Sequence, residues 1–165
     1  MLYPNGFPFC NRNRNDFQLI EILSKIAVRL KSLVIVHAAR RCEYCGLSQD
    51  GQEATFHIDH IYPFAAGDET TESNLALACV SCSLHKSARL TGTDIETGNM
   101  EPLYHPRNDS WHEHFRWNNE ELIGNTPTGR ATIEALKMNR QLILSIRIEE
   151  IFRGRHPQFP PNESA

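Results

Sequence analysis

Four of the five cysteines form two C-x-x-C pairs, Cys42 with Cys45 and Cys79 with Cys82, and this spacing limits the possible folds more than any other feature. Tetrahedral coordination by four thiolates needs two such knuckles, and it leaves no open position for water, so the expected ion is a structural zinc. A disulfide reading would require an oxidising compartment. Residues Met1 to Asp16 lack the unbroken apolar stretch of a secretion signal, and no apolar run approaches the roughly 18 residues of a membrane span. The expected location is therefore cytoplasmic, where paired thiols bind metal. Cys10 is left over as an ordinary thiol.

The chain has 165 residues, which suits one compact domain with a terminal appendage. A small core of this size benefits from a metal staple. Its formal net charge of -3 counts against strong sequence-independent binding of nucleic acid, because such binders carry a basic excess. Cations nevertheless gather in two places. Arg12, Arg14, Lys25, Arg29, Lys31, Arg40 and Arg41 lie near the start, and Lys86 and Arg89 follow the last paired cysteine.

Helical spacing of Phe17, Ile20, Leu23, Ala27 and Leu30 predicts a helix from Asp16 to His37. Alternation over Ala54 to Ile61 predicts a strand that Pro63 ends, and residues 66–73 read as a loop. The stretch from Asn74 to Cys82 runs into a short helix through Ser83, His85, Lys86 and Arg89. Glu101 to Tyr104 and Trp111 to Trp117 read as short strands, with a hairpin turn at Asn118 to Glu121. Thr126 and Pro127 carry capping signals for a last helix over about Arg130 to Phe152, with Ile133, Leu136, Ile143 and Ile146 towards the core. The tail from Gly154 is rich in proline and polar residues and reads as loose.

Between the knuckles lies Phe56-His57-Ile58-Asp59-His60-Ile61-Tyr62-Pro63, then Asn74-Leu75 leading to Cys79, then Cys82-Ser83-Leu84-His85-Lys86. The Asp59-His60-Ile61-x-Pro63 strand, the Asn74-Leu75 step and the C-x-x-C frame resemble the HNH endonucleases, also called ββα-metal nucleases. The likeness is tight over about Arg40 to Arg89 and extends through Leu103 to Arg107, Trp111 to Phe115 and Thr126 to Arg130, as in a bacterial subgroup. It implies an α+β fold with a ββα-metal (HNH) centre, stapled by a four-cysteine zinc site (Cys42, Cys45, Cys79, Cys82) and flanked by helices. It further implies hydrolysis of DNA phosphodiester bonds with Mg²⁺ or another divalent cation. Asp59 would ligate that cation, His60 would act as general base, and Asn74 would hydrogen-bond to His60 or its loop.

The family places a metal-ligating Asn or His directly after the last zinc cysteine, and Ser83 stands there. A hydroxyl is a weak ligand for a hard cation. His85 could supply an imidazole instead, or a water could bridge from Ser83. His57 shares the strand face of Asp59 and is open to three readings: a second ligand, a phosphate contact, or a structural histidine. Lys86 and Arg89 are candidates for phosphate contact. His112-x-His114 would share a face on a strand, although packing is the stronger reading for Trp111, Phe115 and Trp117 as well. Only His114 and Arg107 keep a functional candidacy here, and His37, His105 and His156 are expected to be structural or solvent-facing.

The expected organisation is an N-terminal helical extension at 1–37, a nuclease core with zinc knuckles at 38–110, and a hairpin and helix at 111–165. DNA is the expected partner, with no membrane association. The competing expectation is a zinc-stapled nucleic-acid-binding module that has lost cleavage, and Ser83 is its main support. A structural or protein-interaction zinc domain is a second rival, but it leaves Asp59, His60 and Asn74 unexplained.

Overall fold

The computed structural model of the chain describes residues 27–63 and 70–156. The expected helix start at Asp16, Cys10, the cations Arg12, Arg14 and Lys25, the first half of the 66–73 loop and the tail beyond His156 lie outside the described residues. Residues 27–37 are helical, as the apolar spacing predicts, and form the described part of α1. Val34 and Ala38 bury one side of this segment in the core.

The first knuckle is a tight hairpin. Arg41 bridges Ser48, Cys42 N–H donates to Leu47 O at 2.9 Å, and Gly46 N–H donates to Cys42 O at 2.8 Å. The turn needs a positive φ of 69° at Gly46, a conformation that costs glycine little. Strand β1, His57–His60, pairs antiparallel with β2, Leu75–Ala78, so that His60 lies opposite Leu75 and Asp59 opposite Ala76. A single 3₁₀ turn, Glu72–Asn74, feeds β2.

Helix α2 spans Val80–Lys86. It therefore begins before Cys82 rather than after it, because Cys79 is its N-cap and the Cys79 sulfur accepts the Cys82 N–H at 3.4 Å. A residue of the four-cysteine cluster thus also caps the helix, which ties the second knuckle to the helix start. The helix packs on both strands of the hairpin. This β1–β2–α2 unit is the ββα arrangement implied by the sequence resemblance.

Downstream, β3 (Thr91–Thr93) pairs with β4 (Met100–Pro102), and β5 (Phe115–Asn118) pairs with β6 (Glu121–Gly124). Two expectations need correction here. Residues Trp111–His114 form one helical turn, α3, before β5 begins, so His112 and His114 do not share a strand face. The turn seats the Trp111 indole against Phe115 and Trp117, where it is buried and donates to Tyr44 O at 3.1 Å.

The last helix is also two helices, α4 (Pro127–Ala135) and α5 (Gln141–Phe152). Lys137 breaks the run in a left-handed conformation (φ 50°), and Asn139 turns its amide onto the backbone of Leu122 in β6. The expected apolar positions still face inward, with Leu136 and Ile143 buried and Ile133 and Ile146 packed on the core. Thr126 caps α4 by accepting the Gly129 N–H at 3.0 Å. Gly129 itself is required by close approach, since a Cβ there would sit 2.2 Å from His114 O.

The result is an α+β fold of small antiparallel hairpins and short helices around one cluster of buried side chains that includes all four paired cysteines. No helix among the described residues is long and apolar enough to cross a membrane.

Candidate metal centre and cleavage site

Cys42, Cys45, Cys79 and Cys82 are each at most 2% exposed, and their sulfurs all lie within 4.8 Å of one another. The Cys45 and Cys79 sulfurs are 3.7 Å apart. A tetrahedral zinc with Zn–S bonds of about 2.3 Å has sulfur–sulfur edges of about 3.8 Å, so the donor set fits zinc. Hydrogen bonds from the three other thiols hold the Cys45 thiol well below its ordinary pKa, with a further contribution from the Arg147 guanidinium. Burial pushes the Cys42 thiol well up, and the hydrogen bonds to its neighbours do the same at Cys82. A dication held here would favour the thiolate forms of Cys42 and Cys82, which burial and their neighbours otherwise oppose.

Arg147 is the largest charged side chain in the interior, at 0% exposure. It lies over the Trp117 ring at 4.9 Å and donates through Nη1 to Glu120 O and the Asn139 side chain. Its Nε and Nη2 find no hydrogen-bond partner among the described residues. A buried cation of this kind is costly alone but well matched to a dianionic tetrathiolate site. The sequence offered no signal for it beyond an arginine on an apolar helix.

The hairpin carries the candidate cleavage residues. Along β1, His57 and Asp59 leave one face and Ile58 and His60 the other. Helix α2 lies on the His57–Asp59 face: His57 Nδ1 is 2.9 Å from the Ser83 hydroxyl, and the Lys86 ammonium approaches near enough to Asp59 to be influenced by its charge. The structure therefore brings His57 to Ser83, with Asp59 two residues along the same strand face. His85 is not brought there. Helical rotation places it away from Ser83, where its Nδ1 donates to Ser81 O at 2.7 Å and its ring lines an apolar groove with Leu84, Phe56 and Ile143.

His60 is the last residue of β1, and its Nε2 is 3.0 Å from the Thr70 hydroxyl. Asn74 grips the segment immediately beyond it. Its Oδ1 accepts the Tyr62 N–H at 2.8 Å, its Nδ2 donates to Tyr62 O at 3.1 Å, and its carbonyl accepts the Ile61 N–H at 2.9 Å.

Lys86, a candidate for phosphate contact, is only 2% exposed, and its ammonium donates to His60 O at 3.0 Å. Burial lowers its pKa, and the Asp59 carboxylate offsets part of that fall. It thus braces the strand at His60 from inside. Arg89 is exposed and anchors through Nη1 to Ala135 O at 3.1 Å.

One device that the sequence did not reveal holds the unit together. Glu43, inside the first C-x-x-C, is buried; its Oε2 accepts the Leu77 N–H at 2.7 Å, and its Oε1 meets His37 at 3.2 Å. Arg107 forks onto both Glu43 oxygens and also donates to Leu75 O and Glu72 O. Since Leu75 pairs with His60, this ion pair fixes the first knuckle, β2 and the turn before Asn74 in one register. Arg107 is a positioning residue in this arrangement. His114 bonds Thr126 Oγ1 at 2.6 Å and lies 4.0 Å from Asp109.

No curated protein and no solved structure matches the chain. Residues 42–89, which hold the four cysteines, the β1–β2 hairpin and α2, match the family model described as HNH endonuclease.

Proposed function

We propose that this protein is a metal-dependent endonuclease that hydrolyses DNA phosphodiester bonds. The observation that carries the reading is His57 bonded to Ser83 on the strand face it shares with Asp59, in a hairpin whose first strand ends in His60, within the segment that matches the nuclease family. Asp59 would hold a divalent cation such as Mg²⁺, with His57 or a water on Ser83 completing the set, a mixture of oxygen and imidazole donors suited to such ions. At that position the cation would offset charge on the phosphate and on the departing oxygen.

His60 takes a proton from water, the resulting hydroxide attacks phosphorus, and the P–O bond to the leaving sugar oxygen breaks. Imidazole suits that task because its ordinary pKa lies near neutrality. Asp59 and His60 leave opposite faces of β1, so a phosphate laid at the end of this short strand is the position both can serve. Asn74 and Lys86 hold that strand end rigid through the Tyr62 and His60 backbones. The zinc is structural and takes no part in the reaction.

Titration of Mn²⁺ into the zinc-loaded protein tests the ligand set. One site beyond the zinc is expected, and it should be lost in Asp59→Ala and weakened in His57→Ala. Equal binding by wild type and Asp59→Ala would contradict the assignment. Ser83 standing where the family places an Asn or His ligand favours the second reading, a binding module without cleavage; DNA binding with no second metal site would select it.

A further inference from the structure

At the far end of β1 and α2 lies a cleft of about 260 Å³, lined in part by Tyr62, Lys86, Arg89, His105, Asn108 and Asp109. It is smaller than the roughly 300–1,000 Å³ typical of pockets for drug-sized ligands, which suits a single flat ring system. Its position relative to the proposed reaction is set by the chain. Tyr62 follows His60 by two residues, so their backbones are at most about 7 Å apart, roughly one nucleotide step. Its side chain is 43% exposed at the mouth and meets the His105 ring at 5.4 Å between centroids, tilted by 48°.

The lining selects a base over a phosphate. The one ammonium in the wall, Lys86, is committed to His60 O. Asp109 brings a carboxylate into the wall, with one oxygen accepting the His105 N–H at 2.8 Å, and this would repel a phosphate. His105 Nδ1 accepts the Arg107 N–H at 3.2 Å, the neutral tautomer, and burial pushes its pKa below the ordinary value. Tyr62 and Tyr104 supply aromatic surface, while Asn108, Asp109 and Thr128 supply the donors and acceptors that base edges use. Arg89, held at the rim by Ala135 O, is placed for the sugar–phosphate chain that would leave the cleft.

We infer that this cleft receives one unpaired nucleobase of the substrate, stacked on Tyr62, beside the phosphate to be cut. The inference rests on the nuclease reading for the position of that phosphate. It names the substrate class as single-stranded or locally opened DNA, since a paired base cannot leave the duplex without losing its stacking and pairing.

The test uses zinc-loaded His60→Ala protein and two fluorescent duplexes, identical except that one carries a single bulged nucleotide and the other a bulged abasic site. Fluorescence anisotropy should show about tenfold tighter binding of the bulged base, the size expected of one aromatic stacking contact. Adding Tyr62→Ala should abolish that preference, whereas adding Tyr62→Phe should keep it. Equal affinity for the two duplexes would overturn the inference, as would a preference that survives Tyr62→Ala. Failure here is separable from failure of the nuclease reading. Wild type that cuts plasmid while the bulge preference is absent leaves a nuclease without a base site. A Tyr62-dependent preference in a protein that never cuts leaves the base site without the nuclease.

Discussion

Replacing Arg107 by Met should destabilise the protein severely, because it strands the Glu43 carboxylate. The Glu43 and Arg107 side chains are only 6% and 10% exposed, so water can replace little of what is lost. Breaking one partner of a buried, hydrogen-bonded ion pair costs about 3–5 kcal/mol. The same arginine also serves Leu75 O and Glu72 O, which argues for the upper part of that range. In a domain of this size each kcal/mol moves the thermal midpoint by roughly 2–4 °C, so Arg107→Met should melt about 6–20 °C below wild type at fixed zinc. The fluorescence of the buried Trp111 reports the transition. Adding Glu43→Gln removes the stranded charge and should recover about 1–2 kcal/mol, a non-additivity expected of directly bonded partners. A midpoint within about 2 °C of wild type, or two effects that simply add, would refute the reasoning.

Other outcomes follow from the same structure. Cys79→Ser should lose the zinc and with it the cooperative melt, since the residue would be a ligand and is the N-cap of α2; metal analysis showing one zinc per chain in the variant would contradict this. Asn74→Ala orphans the Tyr62 N–H and C=O, costing about 1–3 kcal/mol, and should slow plasmid nicking roughly 10–100-fold by loosening the strand end. A wild-type rate would sink that role. Burial, aided by Arg147, lowers the pKa of His156 from 6.5 to about 4. The folded chain therefore binds fewer protons than the unfolded one between these values; the stability linked to His156 is present above pH 6.5 and lost as pH falls towards 4. Urea melts should show wild type losing up to about 3 kcal/mol relative to His156→Phe between about pH 7.5 and 4.5, and a constant difference would exclude this linkage.

The local frame was legible where chemistry is written in short range. The C-x-x-C pairs, the alternation around Ile58, the turn at Asn118–Asn119 and the Thr126 cap all depend on residues within a few positions of one another. What the sequence hid depends on distant partners. Nothing near Glu43 points to Arg107, and nothing near Arg147 points to the cysteines. The helical turn at Trp111 seats an indole whose N–H is accepted by Tyr44, far earlier in the chain. The break at Lys137 was equally hidden, because the apolar spacing continues through it and only the docking of Asn139 on β6 interrupts the helix. At the proposed site, His57, Asp59, His60 and Asn74 were marked in the sequence by the family resemblance and their place on the strand. The burial of Lys86 and the turning away of His85 were not, since both follow from where α2 begins and which of its faces meets the hairpin.

The central claim, that His60 drives metal-dependent cleavage of DNA, is tested most directly by nicking of supercoiled plasmid. Wild type and His60→Ala, each shown to hold zinc and to melt cooperatively, would be compared with Mg²⁺ and Mn²⁺. Supercoiled DNA opens locally, so it also suits a site that takes an unpaired base. The account predicts nicking by wild type that requires the divalent cation and disappears with His60→Ala. Undiminished nicking by His60→Ala, or none by folded, zinc-loaded wild type with any divalent cation, would contradict it.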